Sequence, residues 1–260
     1  MPANPKPCAL TTEEMINLYN QGLGTYEIAV LANRNQSTII RRLQTTDVKI
    51  RPAHAPRFYE LDHAFFDVID TEDKAYILGF FMADGCVVHH GPRRRLQFHL
   101  QLGDASHLEK MAMAMKMMNP VRCRRDYAEL CWNSPQQVDA LAHFGIIPRK
   151  SLSGLRYPHS LRTSLHRHFI RGLVDGDGSV HQDKFGLCGS SLELLTDVRT
   201  TILAHVPMAK PFARALQIKD NPPFYRWYGY HKHSVALHWL YDGANIALER
   251  KLSVVKEHWS

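Results

Sequence analysis

The chain has 260 residues, of which 45% are hydrophobic and 22% charged, and it has neither an apolar run long enough for a membrane span nor the start of a secretory signal. Its 32 Lys and Arg against 25 Asp and Glu give a net charge of +7, which favours a polyanionic partner. The five scattered cysteines form no C-x-x-C pair and no histidines form an H-E-x-x-H pattern, so we expect a reducing compartment and no zinc site.

The first segment, residues 1–50, is expected to form three short helices. Thr11 or Thr12 can cap the first helix, Thr25 the second, and Ser37 lies near the start of the third. Short turns and a small alanine in the middle helix are typical of a helix-turn-helix module, although a plain three-helix packing unit also fits. The inward-facing residues of the second and third helices would include Ile28, Ala29, Leu31, Ile39, Ile40 and Leu43. The exposed DNA-contacting residues would be Gln36, Ser37, Thr38, Arg41 and Arg42.

Residues 51–61 are rich in proline and basic side chains and are expected to form an extended linker. Two copies of one plan follow, in residues 62–160 and 161–260. Each predicts a helix, a hairpin, an amphipathic helix, further strands and another helix, and each closes on a basic stretch, "IIPRKS" in the first copy and "LERKLS" in the second. The repeat is too long for a solenoid unit and fits two half-domains related by a pseudo-twofold axis.

Each copy opens with a similar phrase, "YILGFFMADG" at Tyr76–Gly85 and "FIRGLVDGDG" at Phe169–Gly178. The first of these helices is apolar on every side and must be buried. Gly79 and Gly172 occupy the same place in each phrase, where a glycine costs about 0.5–1 kcal/mol relative to alanine, so we expect the two helices to pack closely there. The final glycine of each phrase suits the left-handed conformation just past a helix end.

The phrases place Asp84 and Asp177, 93 residues apart, at the C-terminal ends of two helices. The helix dipole disfavours a carboxylate there. If the helices are parallel, the carboxylates also approach each other, and the pKa of one rises strongly unless a cation lies between them. Mg²⁺ prefers such oxygen ligands and also binds phosphate. Two acids, a divalent metal and a basic surface together indicate phosphodiester hydrolysis.

The two phrases resemble the paired LAGLIDADG motifs of single-chain homing endonucleases, and the resemblance runs from about Asp62 to the C-terminus. It implies an α/β (α+β) fold of two pseudo-symmetric αββαββα half-domains that form a DNA-binding saddle, here preceded by a small all-α helix-turn-helix domain. It also implies a monomer that uses Mg²⁺, or Mn²⁺ in its place, to cut both strands of a long specific DNA target, leaving short 3′ overhangs. We expect such a protein in the cytoplasm of a bacterial or phage-infected cell, associated with the nucleoid when bound to DNA. Its gene would lie in an intron or stand free in a phage or bacterial genome.

The resemblance also assigns residue roles. The last acid of each motif, Asp84 or Asp177, would bind the metal, whereas the earlier acid position, Asp175 in one copy and Met82 in the other, would not. A basic residue late in each half would organise solvent around the cut. Further polar positions of the site would follow the second strand of each half. The basic candidates are Lys150 and Lys251, 66 and 74 residues after their aspartates, and the polar ones are Asp104 and Ser190.

Each half would lay antiparallel strands in the DNA major groove. The alternation of "RRRLQFHLQL" places polar residues on one face and Leu96, Phe98, Leu100 and Leu102 on the other. The strand residues expected to contact DNA are Arg93, Arg95, Gln97, His99 and Gln101 in the first half and Arg214, Gln217, Lys219, Arg226 and Lys232 in the second.

Two other functions fit the same features. A transcription regulator could keep this scaffold and bind DNA without cutting it, although the presence of Asp84 and Asp177 argues against a loss of chemistry. An RNA maturase would bind intron RNA more tightly than duplex DNA. An intein is not expected, because the chain lacks the terminal His-Asn of splicing chemistry.

Overall fold

The computed structural model describes residues 8–50, 60–90, 93–119, 121–152, 154–208 and 212–259. The predicted linker lies outside these ranges except for its last two residues. The chain divides into two compact units, residues 1–59 and residues 60–260. Within the described ranges, no helix has the length and apolar character that a membrane crossing would need.

The first unit contains three helices around a small core of its own. Thr11 caps the first helix in a capping box with Glu14, but the cap of the second helix is Gly24 and not Thr25, which is already helical. Leu31 was expected to face inward and is instead 52% exposed, because it closes its helix on the side away from the core. The helices are α1 (Thr12–Asn20), α2 (Thr25–Leu31) and α3 (Gln36–Gln44), and their core contains Met15, Tyr19, Ile28, Ala29, Ala32, Ile39 and Leu43.

The second unit repeats one order of elements, as the sequence predicts, and its second copy ends with one further helix. The first copy consists of α4 (Glu72–Asp84), β1 (Gly85–His90), β2 (Arg93–Gln101), α5 (Ala105–Ala114), β3 (Arg122–Cys123), β4 (Tyr127–Asn133) and α6 (Pro135–His143). The second copy consists of α7 (His166–Asp177), β5 (Gly178–Val180), β6 (Lys184–Gly189), α8 (Leu192–His205), β7 (Leu216–Asp220), β8 (Pro223–Tyr230), α9 (Ser234–Tyr241) and α10 (Glu249–His258).

Each copy contributes one four-stranded antiparallel sheet, in the order β1-β2-β4-β3 or β5-β6-β8-β7. In β2, Leu96, Phe98 and Leu100 point into the core and pair with strand β4, while the intervening residues face outward. Leu102 was expected to continue the inward row. It lies instead in a short 3-10 turn after the strand and is 42% exposed.

Helices α4 and α7 pack directly backbone to backbone at the centre of the unit. A Cβ atom on Gly79 would lie 2.0 Å from the carbonyl oxygen of Phe169, and one on Gly172 would lie 2.1 Å from that of Tyr76. Nearer the helix ends, a Cβ on Gly176 would meet the Ala83 side chain at 2.3 Å. The contacts advance along both helices in the same direction, so α4 and α7 are parallel and their C-terminal ends lie side by side.

Gly85 and Gly178 are needed for a different reason from the one predicted. Both are extended (φ −71° and −86°) and begin the strands β1 and β5, so neither adopts the left-handed conformation. A Cβ on Gly85 would lie 2.4 Å from the ring of Phe81, and one on Gly178 would lie 2.4 Å from the carbonyl oxygen of Val174. The chain turns from helix straight into strand so tightly that no side chain fits.

Candidate active site

Asp84 and Asp177 end the two central helices, and both side chains are open to solvent. Protein atoms crowd them on their inner sides, so burial raises the pKa of Asp84 despite the positive charges of Lys150, Lys251 and Arg250. Burial, followed by the negative charge of Asp84, raises the pKa of Asp177 to about 6. The two carboxylates therefore interact, as parallel helices require.

The two candidate lysines reach this pair from the closing segments of the two copies. The ammonium group of Lys150 donates to the carbonyl of Ala83, at the end of α4. Lys251 is 3% exposed and donates to the carbonyl oxygens of Val174, Asp175 and Gly178, each at 2.7 Å. Burial lowers the pKa of Lys251 to about 8, although neighbouring acids oppose the shift. With three bonds to backbone, Lys251 supports the end of α7 as a fixed positive charge.

The second pair of candidates differs between the two copies. Asp104 is buried at the start of α5, and its Oδ2 lies 3.2 Å from Nε of Arg250. Ser190 lies near Asp177, where both line a cavity of about 180 Å³ together with Lys150 and Cys188. The structure thus brings Asp104 to the Asp84 side of the site and Ser190 to the Asp177 side.

Asp175 belongs to a buried hydrogen-bond network. Its carboxylate accepts from the hydroxyls of Tyr76 at 2.7 Å and Tyr241 at 2.6 Å, and from the backbone N–H of Leu248 at 2.8 Å. Burial raises the pKa of Asp175, and these hydrogen bonds counteract the shift. Asp175 is fully buried and points away from the exposed carboxylates, while its counterpart Met82 is a buried apolar residue.

The donor set at the helix ends suits a hard divalent cation. Asp84 and Asp177 offer accessible carboxylate oxygens, and the C-terminal ends of two parallel helices add partial negative charge. Burial and then the charge of Asp84 raise the pKa of Asp177, and a bound cation would favour the ionised carboxylate. The residues present therefore fit Mg²⁺ or a similar ion.

The outer face of the first sheet is polar and basic, as expected. Arg95, Gln97, His99 and Gln101 alternate with the buried residues of β2, while the Arg93 side chain lies outside the described part. The buried carboxylate of Glu129, on β4, is surrounded at 3.2–4.0 Å by Arg95, Arg122, Arg124 and His99. His99, Glu129 and Cys131 could together approach one metal ion, but guanidinium groups already contact Glu129 and Cys131. This cluster is an ion-pair network.

The second sheet agrees only in part with the residues expected there. Gln217 and Lys219 are exposed on β7, and Arg226 lies on β8, where its guanidinium stacks 5.5 Å from the ring of Tyr228. Arg214 precedes β7, and Lys232 lies in the 3-10 turn His231–His233, so neither is a strand residue. The apolar and basic alternation continues past the strand ends, and the pattern alone does not show where the strands stop.

Most of the candidate DNA-contacting residues on α3 are solvent-accessible. Gln36, Ser37 and Arg41 are exposed, and Thr38 is half-buried. Arg42 is also half-buried, and its guanidinium donates to the sulfur of Cys8 at 3.5 Å. The amide of Gln36 donates to Thr25 at 2.9 Å, which links the starts of α3 and α2.

Sequence reasoning missed Arg250 and Glu129. Arg250 had a signal, because an Arg-Lys pair closes each copy and only the lysines were considered. Glu129 had none, since an acid in "YAELCWN" acquires its basic neighbours only when β2, β3 and β4 pair.

The sequence matches no protein-family model and no curated protein. Among solved structures, I-DmoI in complex with DNA and Ca is 12% identical, with a TM-score of 0.51 over 76% of this chain and 100% of that one. Mesophilic variants of the homing endonuclease I-DmoI give the same values. The LAGLIDADG meganuclease I-AabMI bound to uncleaved DNA is 10% identical, with a TM-score of 0.48 over 71% of this chain and 88% of that one.

At such low identity the likeness establishes the fold. The second unit has the two-copy architecture of the LAGLIDADG homing endonucleases, and the fold expected from the two motifs is confirmed.

Proposed function

We propose that this protein is a site-specific DNA endonuclease that uses a divalent cation, Mg²⁺ or Mn²⁺, to cut both strands of a duplex as a monomer. The observation that carries the proposal is the meeting of two accessible carboxylates at the ends of two helices in backbone contact. Solved structures with the same fold include I-DmoI in complex with DNA and Ca, which supports DNA as the substrate. The basic outer faces of the sheets supply a surface for the phosphate backbone.

Asp84 and Asp177 would hold the metal, and each would act on the DNA strand that its own copy faces. A bound divalent cation would supply an activated water and neutralise the leaving oxygen. Lys150 contributes positive charge beside both carboxylates, and Lys251 fixes the end of α7, so both keep the acids ionised near neutral pH. Asp104 and Ser190 would order solvent or neighbouring side chains, each on its own side of the site. The exposed residues of α3 would extend the DNA contacts beyond the nuclease footprint.

The test is selection of cleaved sites from a random or genomic duplex library in the presence of Mg²⁺. Asp84→Asn and Asp177→Asn serve as matched variants, because each removes one carboxylate charge and keeps the side-chain shape. We expect wild type to yield a single recurrent target with double-strand breaks, and each variant to bind that target while its double-strand cleavage falls by at least about 10²-fold. Cleavage at the wild-type rate by either variant would refute the assignment.

The same experiment separates the two rivals. Tight specific binding without nicking by wild type, in either metal, indicates a regulator that keeps the scaffold. Tighter binding of intron RNA than of the selected duplex indicates a maturase. The nuclease would act in the cytoplasm of the host cell, where both the DNA target and free thiols such as Cys86 and Cys123 belong.

A further inference from the structure

An Arg-Lys pair closes each copy, Arg149-Lys150 in the first and Arg250-Lys251 in the second, and the two arginines have different neighbours. Lys150 and Lys251 both approach the paired aspartates, but the preceding arginines diverge. The Nε atom of Arg250 lies 3.2 Å from the buried carboxylate of Asp104, which belongs to the other copy. Arg149 is exposed, and within the described ranges it forms no ion pair with an acid.

The divergence has a local cause in the sequence. The turn before α5 contains Asp104, whereas the corresponding turn before α8 contains Ser190 and Ser191, and Ser191 caps that helix. A carboxylate can hold a guanidinium in one orientation, and a serine hydroxyl cannot neutralise it. The first copy therefore provides a carboxylate that holds the arginine of the second copy, whereas the second copy provides none for the arginine of the first.

The anchored arginine lies beside one of the two site carboxylates. Arg250 and Asp104 both lie close enough to Asp84 for their charges to act on it. The Arg250 side chain is 51% exposed, and its contact with Asp104 uses Nε, which leaves the terminal nitrogens outside that contact. A guanidinium fixed at one edge and open at the other is a suitable donor for a phosphate.

We propose that Arg250, held by Asp104, is a catalytic residue that binds the scissile phosphate on the Asp84 side only, so that the two DNA strands are cut by unequal machinery. This inference rests on the proposed nuclease function and adds a residue and an asymmetry to it. Each DNA strand would meet one motif aspartate, but only the strand on the Asp84 side would meet an additional preorganised positive charge. That charge stabilises the negative charge that grows on the phosphate in the transition state.

The experiment measures the two strands separately. A duplex with the target selected by wild type is labelled at one 5′ end or the other, and single-turnover nicking is followed in Mg²⁺ for wild type and for Arg250→Gln. We expect Arg250→Gln to slow one strand by about 10- to 10²-fold and to change the other by less than about 3-fold, so that nicked duplex accumulates. Asp104→Asn should slow the same strand by a smaller factor, and Arg250→Lys should restore part of the rate.

Arg149→Gln is the matched control, because it removes the same charge from the equivalent place in the other copy. It should leave the rates of both strands within about 3-fold of wild type. Unfolding curves and duplex affinity in EDTA verify that each variant is folded and binds the target. Equal slowing of both strands by Arg250→Gln, or slowing of different strands by Arg250→Gln and Asp104→Asn, overturns the inference. Failure of the nuclease proposal looks different, because wild type itself would then cut neither strand.

Discussion

The carboxylate of Asp177 occupies a position that costs the fold free energy. Burial and the charge of Asp84 raise the pKa of Asp177 to about 6, above its ordinary value of 3.8. The folded chain therefore holds this proton more tightly than the unfolded chain, and the resulting stability is fully present below about pH 4 and lost as pH rises through about 6. A bound divalent cation would offset the loss.

Replacing the carboxylate by an amide should therefore stabilise the metal-free protein. We expect Asp177→Asn to raise the free energy of unfolding by about 1 kcal/mol at pH 7.5 in EDTA, a value reduced from the pKa shift because solvent screens this exposed group. The gain should disappear below about pH 4 and shrink when Mg²⁺ is added. Urea unfolding at several pH values checks this, and a stability gain that does not depend on pH would show that charge is not the cause.

Asp175→Asn is the matched control for that substitution, because it makes the same change two residues earlier. Asp175 is fully buried and accepts from Tyr76, Tyr241 and Leu248. An amide keeps one acceptor oxygen and turns an NH₂ group toward donors, so we expect a loss of about 1–3 kcal/mol. The two substitutions should therefore change stability with opposite signs at pH 7.5.

At the scale of elements, the parallel pair α4 and α7 determines where the carboxylates lie. Gly79 and Gly172 let the two backbones touch, and Gly176 does the same beside Ala83. Any side chain at these positions separates the helices, and a separation moves both helix ends. Packing at mid-helix and the geometry of the candidate active site are therefore coupled.

The substitution Gly79→Ala tests this packing. Helix propensity alone predicts a gain of about 0.5–1 kcal/mol, but the new Cβ would lie 2.0 Å from the carbonyl oxygen of Phe169. We expect the clash to prevail and to cost about 3 kcal/mol or more in urea unfolding, because backbone on both sides must move. Gly103→Ala is the control, since nothing lies within 4 Å of a Cβ there. If Gly79→Ala is as stable as the control, the backbones of α4 and α7 are not in direct contact at this position.

The sequence indicates these central helices well because their signals are local. An apolar run, a repeated glycine and a terminal aspartate occur within ten residues, and the same set recurs in the second copy. The structural role of Gly85 was less predictable, because a glycine after a helix fits a left-handed cap equally well. Only the position of the Phe81 ring shows that the chain goes straight into a strand.

Contacts between the two copies could not be predicted from the sequence. Asp104 and Arg250 are 146 residues apart, and Asp175 is 99 residues from Tyr76. Such pairs form only when helices and loops pack in the folded chain, so residue spacing in the sequence does not predict them. The motif aspartates could be predicted because a single helical phrase defines each, whereas the ion pair that distinguishes the two sides could not.

At the scale of the whole molecule, the chain joins two units that each have a separate core. The second unit supplies the proposed chemistry. The first offers a polar, basic helix face on α3, whose exposed Arg41 lies outside the second unit. If the first unit binds DNA, the full target is longer than the nuclease footprint, and the added affinity depends on phosphate contacts and on salt.

The substitution Arg41→Gln tests this division of roles. We expect affinity for the full-length selected target to fall about 3- to 10-fold in EDTA, and the slope of log affinity against log salt to decrease by about one unit, as for one lost phosphate contact. Binding to a duplex trimmed to the cleavage footprint should not change. Lys49→Gln removes the same charge from the same unit outside α3 and should affect neither duplex by more than about 2-fold. Equal losses on long and trimmed duplexes, or from both substitutions, would mean that net charge and not α3 is responsible.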